Sequence, residues 1–171
     1  MKVLFIDRDG TLIHEPIGGY IDSLEKLKIE PHIIESLQKL QSKGYKFVMI
    51  SNQPGRGTKK FPEINFITPQ NKLMEIFAKN NITFEETFFC PHFREDNCNC
   101  MKPKTGLVDE YIKNNNINLK KSYTIGDRES DMQLAKNIGC KSISYSDEIR
   151  KGSDFNSKNW KLVAEYIIKP Q

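Results

Sequence analysis

A short apolar strand that stops at two carboxylates constrains this chain more than any other stretch. Val3 to Ile6 is rich in β-branched and aromatic residues, and Asp7 follows it directly. Such a run is typical of a strand buried on both faces of a parallel sheet, whose carboxyl end lies at the ligand-binding edge. Gly10 eases the turn after Asp9, so both acids are predicted to face a ligand there. Solvated acids at a strand end give the same short pattern, so the later segments decide between the two interpretations.

A second apolar run, Tyr45 to Ile50, ends at Ser51. Between the two runs, Pro31 opens a helix whose apolar residues recur on one face until Gly44. A strand, a helix and a second strand imply parallel pairing through a right-handed crossover. Ser51 is therefore expected at the same edge as Asp7, where a hydroxyl suits a phosphoryl oxygen.

The second half of the chain repeats this pattern. A strand is predicted over residues 84–89, and another precedes Gly126 and Asp127. The helix that follows runs to Gly139, and Asp131 lies one helical turn beyond Asp127, where it can support the site. Asp127 alone would also fit an acidic residue at a helix N-terminus, which places its charge at the same edge.

This alternation predicts an α/β protein with a doubly wound, Rossmann-like parallel sheet and helices on both faces. Residues 12–30 predict a loop or short hairpin flap over the strand ends, because they contain prolines and glycines without a clear period. A helix is expected from about residue 70 to 79, and Pro103 is expected in the first turn of another. The 171 residues suffice for one domain, residues 1–171, without a large cap.

Four metal-binding side chains fall within eleven residues. Cys90, His92, Cys98 and Cys100 give the pattern C-x-H-x5-C-x-C, which satisfies the four-coordinate demand of structural Zn²⁺. Four protein ligands leave no open position for water, so we expect a structural ion that rigidifies residues 90–100 beside the active site. Cys140 stands apart and is interpreted as a packing residue.

Composition excludes several classes of partner. Charged residues make up 28% and hydrophobic residues 37% of the chain, which describes an ordinary soluble protein. The net charge of +4 is mild and dispersed, so no nucleic-acid partner is expected. We expect neither a membrane span nor a signal peptide, and hence a cytoplasmic location. Oligomeric state does not follow from the sequence.

Four segments at the predicted edge resemble the motifs of the haloacid dehalogenase superfamily of phosphatases. In chain order they are Asp7-Arg8-Asp9-Gly10-Thr11, then Ser51, then Lys102 within Cys-x-Lys-Pro, and Asp127 within G-D-x-x-x-D. The resemblance implies that Asp7 attacks phosphorus and Asp9 transfers protons. It also implies that Ser51 and Lys102 stabilise the phosphoryl oxygens, with Lys104 as the fallback for Lys102.

The same resemblance implies a catalytic Mg²⁺ ion. Its expected ligands are the Asp7 carboxylate, the Asp9 backbone carbonyl, Asp127, phosphate and waters, since hard cations prefer oxygen and magnesium keeps part of its hydration shell. The ion would screen the repulsion between an anionic nucleophile and a phosphate dianion.

Further residues are similar to the histidinol-phosphate phosphatase branch. This branch has an Asn-Gln-x-Gly-x-Gly-Thr stretch, the zinc pattern and Gly-Asp-Arg, so a small phosphomonoester, L-histidinol phosphate, is the implied substrate. The implied substrate-binding residues are Asn52, Gln53, Arg56 and Arg128. The chain departs from the branch at Gln70, where relatives have His, and at Met101, where they have Arg. Both departures weaken the substrate assignment.

Three alternatives stay open. A sugar phosphatase, such as D-glycero-D-manno-heptose 1,7-bisphosphate 7-phosphatase, is the nearest, although that branch more often has Gly-Asp-Lys. A phospho-acceptor signalling module of receiver type would place its acceptor on a later strand and lack the Cys/His quartet. A catalytically silent scaffold is disfavoured by the intact set of acids.

Overall fold

The computed structural model describes residues 1–169 and contains a six-stranded, fully parallel sheet. The strands are β1 (Lys2–Ile6), β2 (Tyr45–Asn52), β3 (Phe84–Cys90), β4 (Tyr123–Gly126), β5 (Lys141–Ser144) and β6 (Phe155–Asn156). Their order across the sheet is β3-β2-β1-β4-β5-β6, so β1 lies at the centre between β2 and β4. The predicted domain, residues 1–171, includes residues 170 and 171, which lie outside the described residues.

Helices cover both faces of this sheet. They are α1 (Ile33–Ser42), α2 (Glu63–Lys79), α3 (Asp109–Asn114), α4 (Glu129–Ile138) and α5 (Trp160–Ile168). Helices α1, α2 and α5 pack on one face, while α3 and α4 pack on the other. The predicted doubly wound arrangement is confirmed. Among the described residues, no helix is both long and apolar enough to cross a membrane.

The central strand shows why the chain folds this way. Leu4 and Ile6 enter the core under α1, α2 and α5, whereas Val3 and Phe5 enter the core under α3 and α4. All four side chains are fully buried, because successive strand residues point to opposite faces and both faces are covered. Burial on both sides anchors the strand that carries Asp7 at its carboxyl end.

Two helix predictions were wrong in their starting points. Helix α2 begins at Glu63 instead of near residue 70 and contains Pro69 in its interior. Pro69 is buried on the inner face of the helix, where packing offsets the lost backbone hydrogen bond. Helix α3 begins at Asp109, so Pro103 does not lie in its first turn. The Gly106 amide instead donates to the Asn99 carbonyl at 3.1 Å and holds this segment in turns.

Residues 12–30 form the predicted flap. The His14 amide donates to the Lys28 carbonyl at 2.7 Å, and the Glu30 amide donates to the Leu12 carbonyl at 3.0 Å. These bonds join the two ends of the flap as a short antiparallel pair. Its outer part reaches over the sheet edge, where Gly18, Gly19 and Tyr20 line a cavity described below.

Replacement of Trp160 by Phe should destabilise the fold. The Trp160 Nε1 donates to the Thr11 carbonyl at 2.9 Å in a fully buried environment. Loss of this donor leaves a buried carbonyl unsatisfied, which lowers the free energy of unfolding by about 1–3 kcal/mol. Urea denaturation measures the change, with Leu162→Ala on the exposed side of the same helix as control. Equal losses in both variants would contradict this role of Trp160.

Candidate active site

The carboxyl ends of β1 and β2 open into a cavity of about 750 Å³. The predicted site residues that line it are Asp7, Asp9, Ser51, Asn52, Gln53, Cys98, Lys102 and Arg128, together with Lys104, the fallback for Lys102. Residues from four separate chain segments meet here, and three of these segments follow strands, because parallel strands deliver their ends to one edge. The flap and the loop after β3 complete the walls.

A buried lysine neutralises the acids at the base of the cavity. The Lys102 Nζ lies 2.7 Å from Oδ1 of Asp7 and 2.6 Å from Oδ1 of Asp131. Burial alone would lower the pKa of Lys102, but the Asp131 and Asp7 carboxylates outweigh it and raise that pKa. The ammonium group is therefore charged and points at the predicted nucleophile.

Three carboxylates crowd together beside this lysine. Ligand oxygens of Asp7, Asp127 and Asp131 lie within 4.8 Å of one another. Burial, followed by the neighbouring carboxylates, raises the pKa of Asp127. Among the described residues nothing donates to the buried Oδ1 of Asp127. A cluster of carboxylate oxygens in which one buried oxygen has no hydrogen-bond partner fits a hard divalent cation.

The close approach of Asp127 to the first motif explains why residue 10 is a glycine. Gly10 has a φ of +78°, and a Cβ atom built on it would lie 2.7 Å from Oδ2 of Asp127. A larger residue would therefore be strained and would also push Asp127 out of the cluster.

Both carboxylate oxygens of Asp9 bond to residues outside this cluster. Its Oδ1 accepts a bond of 2.6 Å from Nη1 of the buried Arg8, and its Oδ2 accepts one of 2.5 Å from Nε2 of Gln53. Burial raises the pKa of Asp9, while Arg8 opposes this effect. A raised pKa suits a carboxyl group that donates a proton.

Asn52 fixes the position of Lys102. Its Oδ1 accepts from the Lys102 amide at 2.9 Å, and its Nδ2 donates to the Lys102 carbonyl at 3.3 Å. Although Asn52 lines the cavity, its side-chain amide is thus engaged by backbone. The preceding residue of β2, Ser51, is buried, and its Oγ accepts a hydrogen bond of 2.9 Å from Nε2 of Gln53.

The two predicted arginines occupy different places. Arg128 lies at the cavity rim, where its Nη2 is 2.5 Å from Oε1 of Glu15. The guanidinium of Arg56 instead donates to both carboxylate oxygens of Glu63 and lies 4.0 Å from the ring centroid of Phe66. Arg56 is not among the lining residues, so the geometry offers no support for its predicted contact with substrate.

The two residues that depart from the branch pattern also lie in different places. Met101 lines the cavity, so the exchange of Arg for Met changes the wall itself. Gln70 is buried behind Arg8 and accepts from its Nε at 2.9 Å. Gln70 therefore supports Arg8 and is not one of the described residues that line the cavity.

Several rim residues were missed by the sequence analysis. They are Glu15, Tyr20, Phe93, Arg94 and Asn97. Glu15 and Tyr20 come from the flap, and the other three come from the loop after β3. Neither segment has a regular hydrophobic period, so the sequence indicated only that both segments lie near the strand ends.

The Cys/His quartet converges on one point. The Sγ of Cys90 lies 3.6 Å from that of Cys98 and 3.2 Å from that of Cys100, and His92 Nδ1 lies 3.1 Å from Cys100 Sγ. A tetrahedral zinc with sulfur at about 2.3 Å has ligand atoms roughly 3.8 Å apart. All four ligand atoms lie within 4.8 Å of one another, so the cluster could hold a metal ion.

The parallel sheet carries a carboxylate cluster and a buried lysine at one edge, and a solved phosphatase structure shares this fold. The chain belongs to the polynucleotide kinase 3 phosphatase family, whose sequence profile matches residues 2–164.

Curated relatives give a narrower comparison. The chain is 48% identical over 169 residues to the histidine biosynthesis bifunctional protein HisB of Buchnera aphidicola subsp. Schizaphis graminum, which covers 98% of this chain. It is 50% identical over 147 residues, or 85% of its length, to the protein of the same name from Campylobacter jejuni. The chain spans only 45% and 42% of the lengths of these two relatives.

Solved structures share the fold. A D,D-heptose 1,7-bisphosphate phosphatase from B. bronchiseptica, solved with magnesium and phosphate, has a TM-score of 0.79 at 19% identity, with 98% of each chain covered. The enzyme of that name from Burkholderia thailandensis has a TM-score of 0.63 at 16% identity, with 99% of this chain and 100% of that chain covered. At these identities the likeness concerns the fold alone.

Replacement of Lys102 by Met should reduce turnover far more than the same change at Lys104. Lys102 is buried against Asp7, whereas Lys104 is exposed and donates to the Cys98 carbonyl at 2.6 Å. Removing a charged donor at the reacting centre costs about 10²–10³-fold in rate. Phosphate release from a small phosphomonoester with magnesium measures both variants. A greater loss in Lys104→Met would reverse the assignment.

Proposed function

We propose that this chain is a magnesium-dependent phosphomonoester hydrolase that converts L-histidinol phosphate into L-histidinol and phosphate. The observation that carries the proposal is the buried Asp7 carboxylate, which is paired with Lys102 at 2.7 Å and opens into the cavity. The substrate assignment is supported by the histidine-biosynthesis relatives, whose identity of 48–50% exceeds the 16–19% of the heptose bisphosphate phosphatases.

Asp7 is the nucleophile in this proposal. A carboxylate oxygen of Asp7 attacks phosphorus in line, and the bond between phosphorus and the substrate oxygen breaks to give an aspartyl phosphate. Asp9 protonates the departing alkoxide and then takes a proton from the water that hydrolyses the intermediate. Lys102 and the Ser51 hydroxyl stabilise the phosphoryl oxygens, since both line the same cavity as Asp7.

We further propose Asp7, Asp127 and the Asp9 backbone carbonyl as the magnesium ligands. The clustered oxygens and the unpartnered Oδ1 of Asp127 support this assignment. Bound magnesium supplies charge neutralisation for the approach of an anionic nucleophile to a phosphate dianion. Asp131 joins the cluster but is also held by Lys102 and by the Arg128 amide, so it supports the site.

One acidic residue stands among the cations Arg94, Lys104 and Arg128 at the rim, and it offers a site for a positively charged group of the substrate. L-Histidinol phosphate has an ammonium group beside its phosphate ester, and Glu15 presents a carboxylate at the rim. In the free protein, Nη2 of Arg128 forms an ion pair of 2.5 Å with Oε1 of Glu15. A substrate ammonium can take over the partnership with Glu15, whereas a second phosphate would be drawn to Arg128 instead.

We also propose that the Cys/His quartet holds a structural zinc in a cytoplasmic protein. The convergence of three sulfurs and one nitrogen supports zinc. The four cysteines are not paired in disulfides, which is typical of a reducing compartment. Phe93, Arg94, Asn97 and Cys98 also line the cavity. The ion would therefore rigidify one wall of the active site.

A side-by-side assay of three substrates tests the function. With magnesium, the chain should release phosphate from L-histidinol phosphate with a kcat/KM at least about tenfold above that for D-glycero-D-manno-heptose 1,7-bisphosphate or a 3′-phosphorylated oligonucleotide. Asp7→Asn should remove nearly all release, since it lacks the anionic nucleophile. Preference for either competing substrate would overturn the substrate assignment, and substantial turnover by Asp7→Asn would refute the covalent route.

Elemental analysis tests the zinc site. Protein purified without chelator should contain one equivalent of zinc per chain, because the quartet supplies four ligands. Cys98→Ser should lower this content, whereas Cys140→Ser, which changes a thiol outside the quartet, should retain it. Absence of zinc from the unsubstituted protein would contradict the proposal.

A further inference from the structure

Gln53 connects two groups that the proposed mechanism uses separately. Its side-chain nitrogen Nε2 lies 2.9 Å from the Ser51 hydroxyl oxygen and 2.5 Å from Oδ2 of Asp9. An amide nitrogen carries two hydrogens, so each of these acceptors can receive one. The Gln53 backbone amide donates to the Cys90 carbonyl at 2.7 Å, and the residue is buried, so the side chain starts from a fixed base.

The bond to Ser51 gives its hydroxyl a direction. Because Gln53 donates to the Ser51 oxygen, the hydroxyl hydrogen is free to point towards another acceptor. Ser51 lines the cavity beside Asp7, where the proposed substrate places its phosphoryl oxygens. Gln53 thus prepares Ser51 as a donor to phosphate.

The bond to Asp9 fixes the proton-transfer group from the cavity side. Arg8 holds the other oxygen of Asp9 from behind, and Arg8 is itself anchored by Gln70 at 2.9 Å. Gln53 lines the cavity, whereas Arg8 is fully buried. Gln53 is therefore the Asp9 partner that lies closest to where the leaving group must be protonated.

We propose that Gln53 is a positioning residue that couples phosphate recognition by Ser51 to proton transfer by Asp9. The proposal rests on the hydrolase mechanism above and replaces the expected contact between Gln53 and substrate. When the bond from phosphorus to the substrate oxygen breaks, the Asp9 proton moves to that oxygen. The Gln53 donor then stabilises the carboxylate that remains and keeps it aimed for removal of a proton from water.

A change of Gln53 to Met keeps the length of the side chain but removes the donor. With an alkyl phosphomonoester such as L-histidinol phosphate, kcat should fall about 10²-fold, because both proton transfers lose their aligned group. KM should rise far less than kcat falls, because Ser51 loses its orientation but keeps its hydroxyl. Gln133→Met on the exposed side of α4 makes the same chemical change away from the site and should retain wild-type rates.

A second substrate separates positioning from general damage. p-Nitrophenyl phosphate has a leaving group that departs without protonation, so formation of the aspartyl phosphate should be spared while its hydrolysis by water slows. Rapid mixing should then show a burst of about one p-nitrophenolate per active site in Gln53→Met, followed by slow turnover. Intact-protein mass spectrometry should detect the accumulated phosphoryl group.

The outcomes are distinct. Gln53→Leu also removes the donor without adding a charge and serves if the Met variant fails to fold; it should give the same burst. A rise in KM alone, or equal slowing of both substrates without a burst, would overturn the positioning role. Failure of the unsubstituted chain to hydrolyse any phosphomonoester would instead refute the proposed function itself.

Discussion

Repulsion among buried carboxylates at one edge of the sheet is the constraint on which this structure depends. Asp7 and Asp127 end adjacent strands, and Asp131 follows one helical turn later, so the topology forces their charges together. Lys102 balances two of the three through ion pairs of 2.6 and 2.7 Å, and the free oxygen of Asp127 leaves room for a cation. The arrangement is costly to the fold, and in the proposed mechanism its unmet negative charge attracts the metal ion that then allows a phosphate to approach.

The placement of this lysine explains the loop after β3. Lys102 is not on a strand, so its backbone needs other restraints, and Asn52 supplies them through both of its side-chain amide groups. The Cys/His quartet ends at Cys100, two residues before Lys102, and its loop also contributes Phe93 and Asn97 to the cavity. One short segment therefore combines a proposed metal anchor, part of the cavity wall and the cation of the active site.

Sequence reasoning succeeded where the signal was local and failed where packing decided. Buried strands such as Val3 to Ile6, and the convergence of Asp7 and Ser51, follow from apolar runs that stop at polar residues. Lys102 follows no such run, and its place in the site was implied only by the resemblance to a family motif. The start of α2 was misplaced because Pro69 argues against a helix interior, and only burial of its inner face compensates. Strand β6 has just two residues, too few for any periodic signal. The roles of Gln53 and Arg56 depend on which partner each side chain reaches, which no spacing along the chain encodes.

Gly126 shows how a missing side chain can serve the chemistry of a site. A Cβ atom at this position would lie 2.2 Å from the carboxyl carbon of Asp131, whose oxygen holds the Lys102 ammonium. The last residue of β4 thus makes room for the helix turn that follows it, and this turn carries the carboxylate that holds Lys102 beside Asp7. Gly126 thus belongs to the site by steric exclusion, because any side chain there would displace Asp131 and the lysine that it holds.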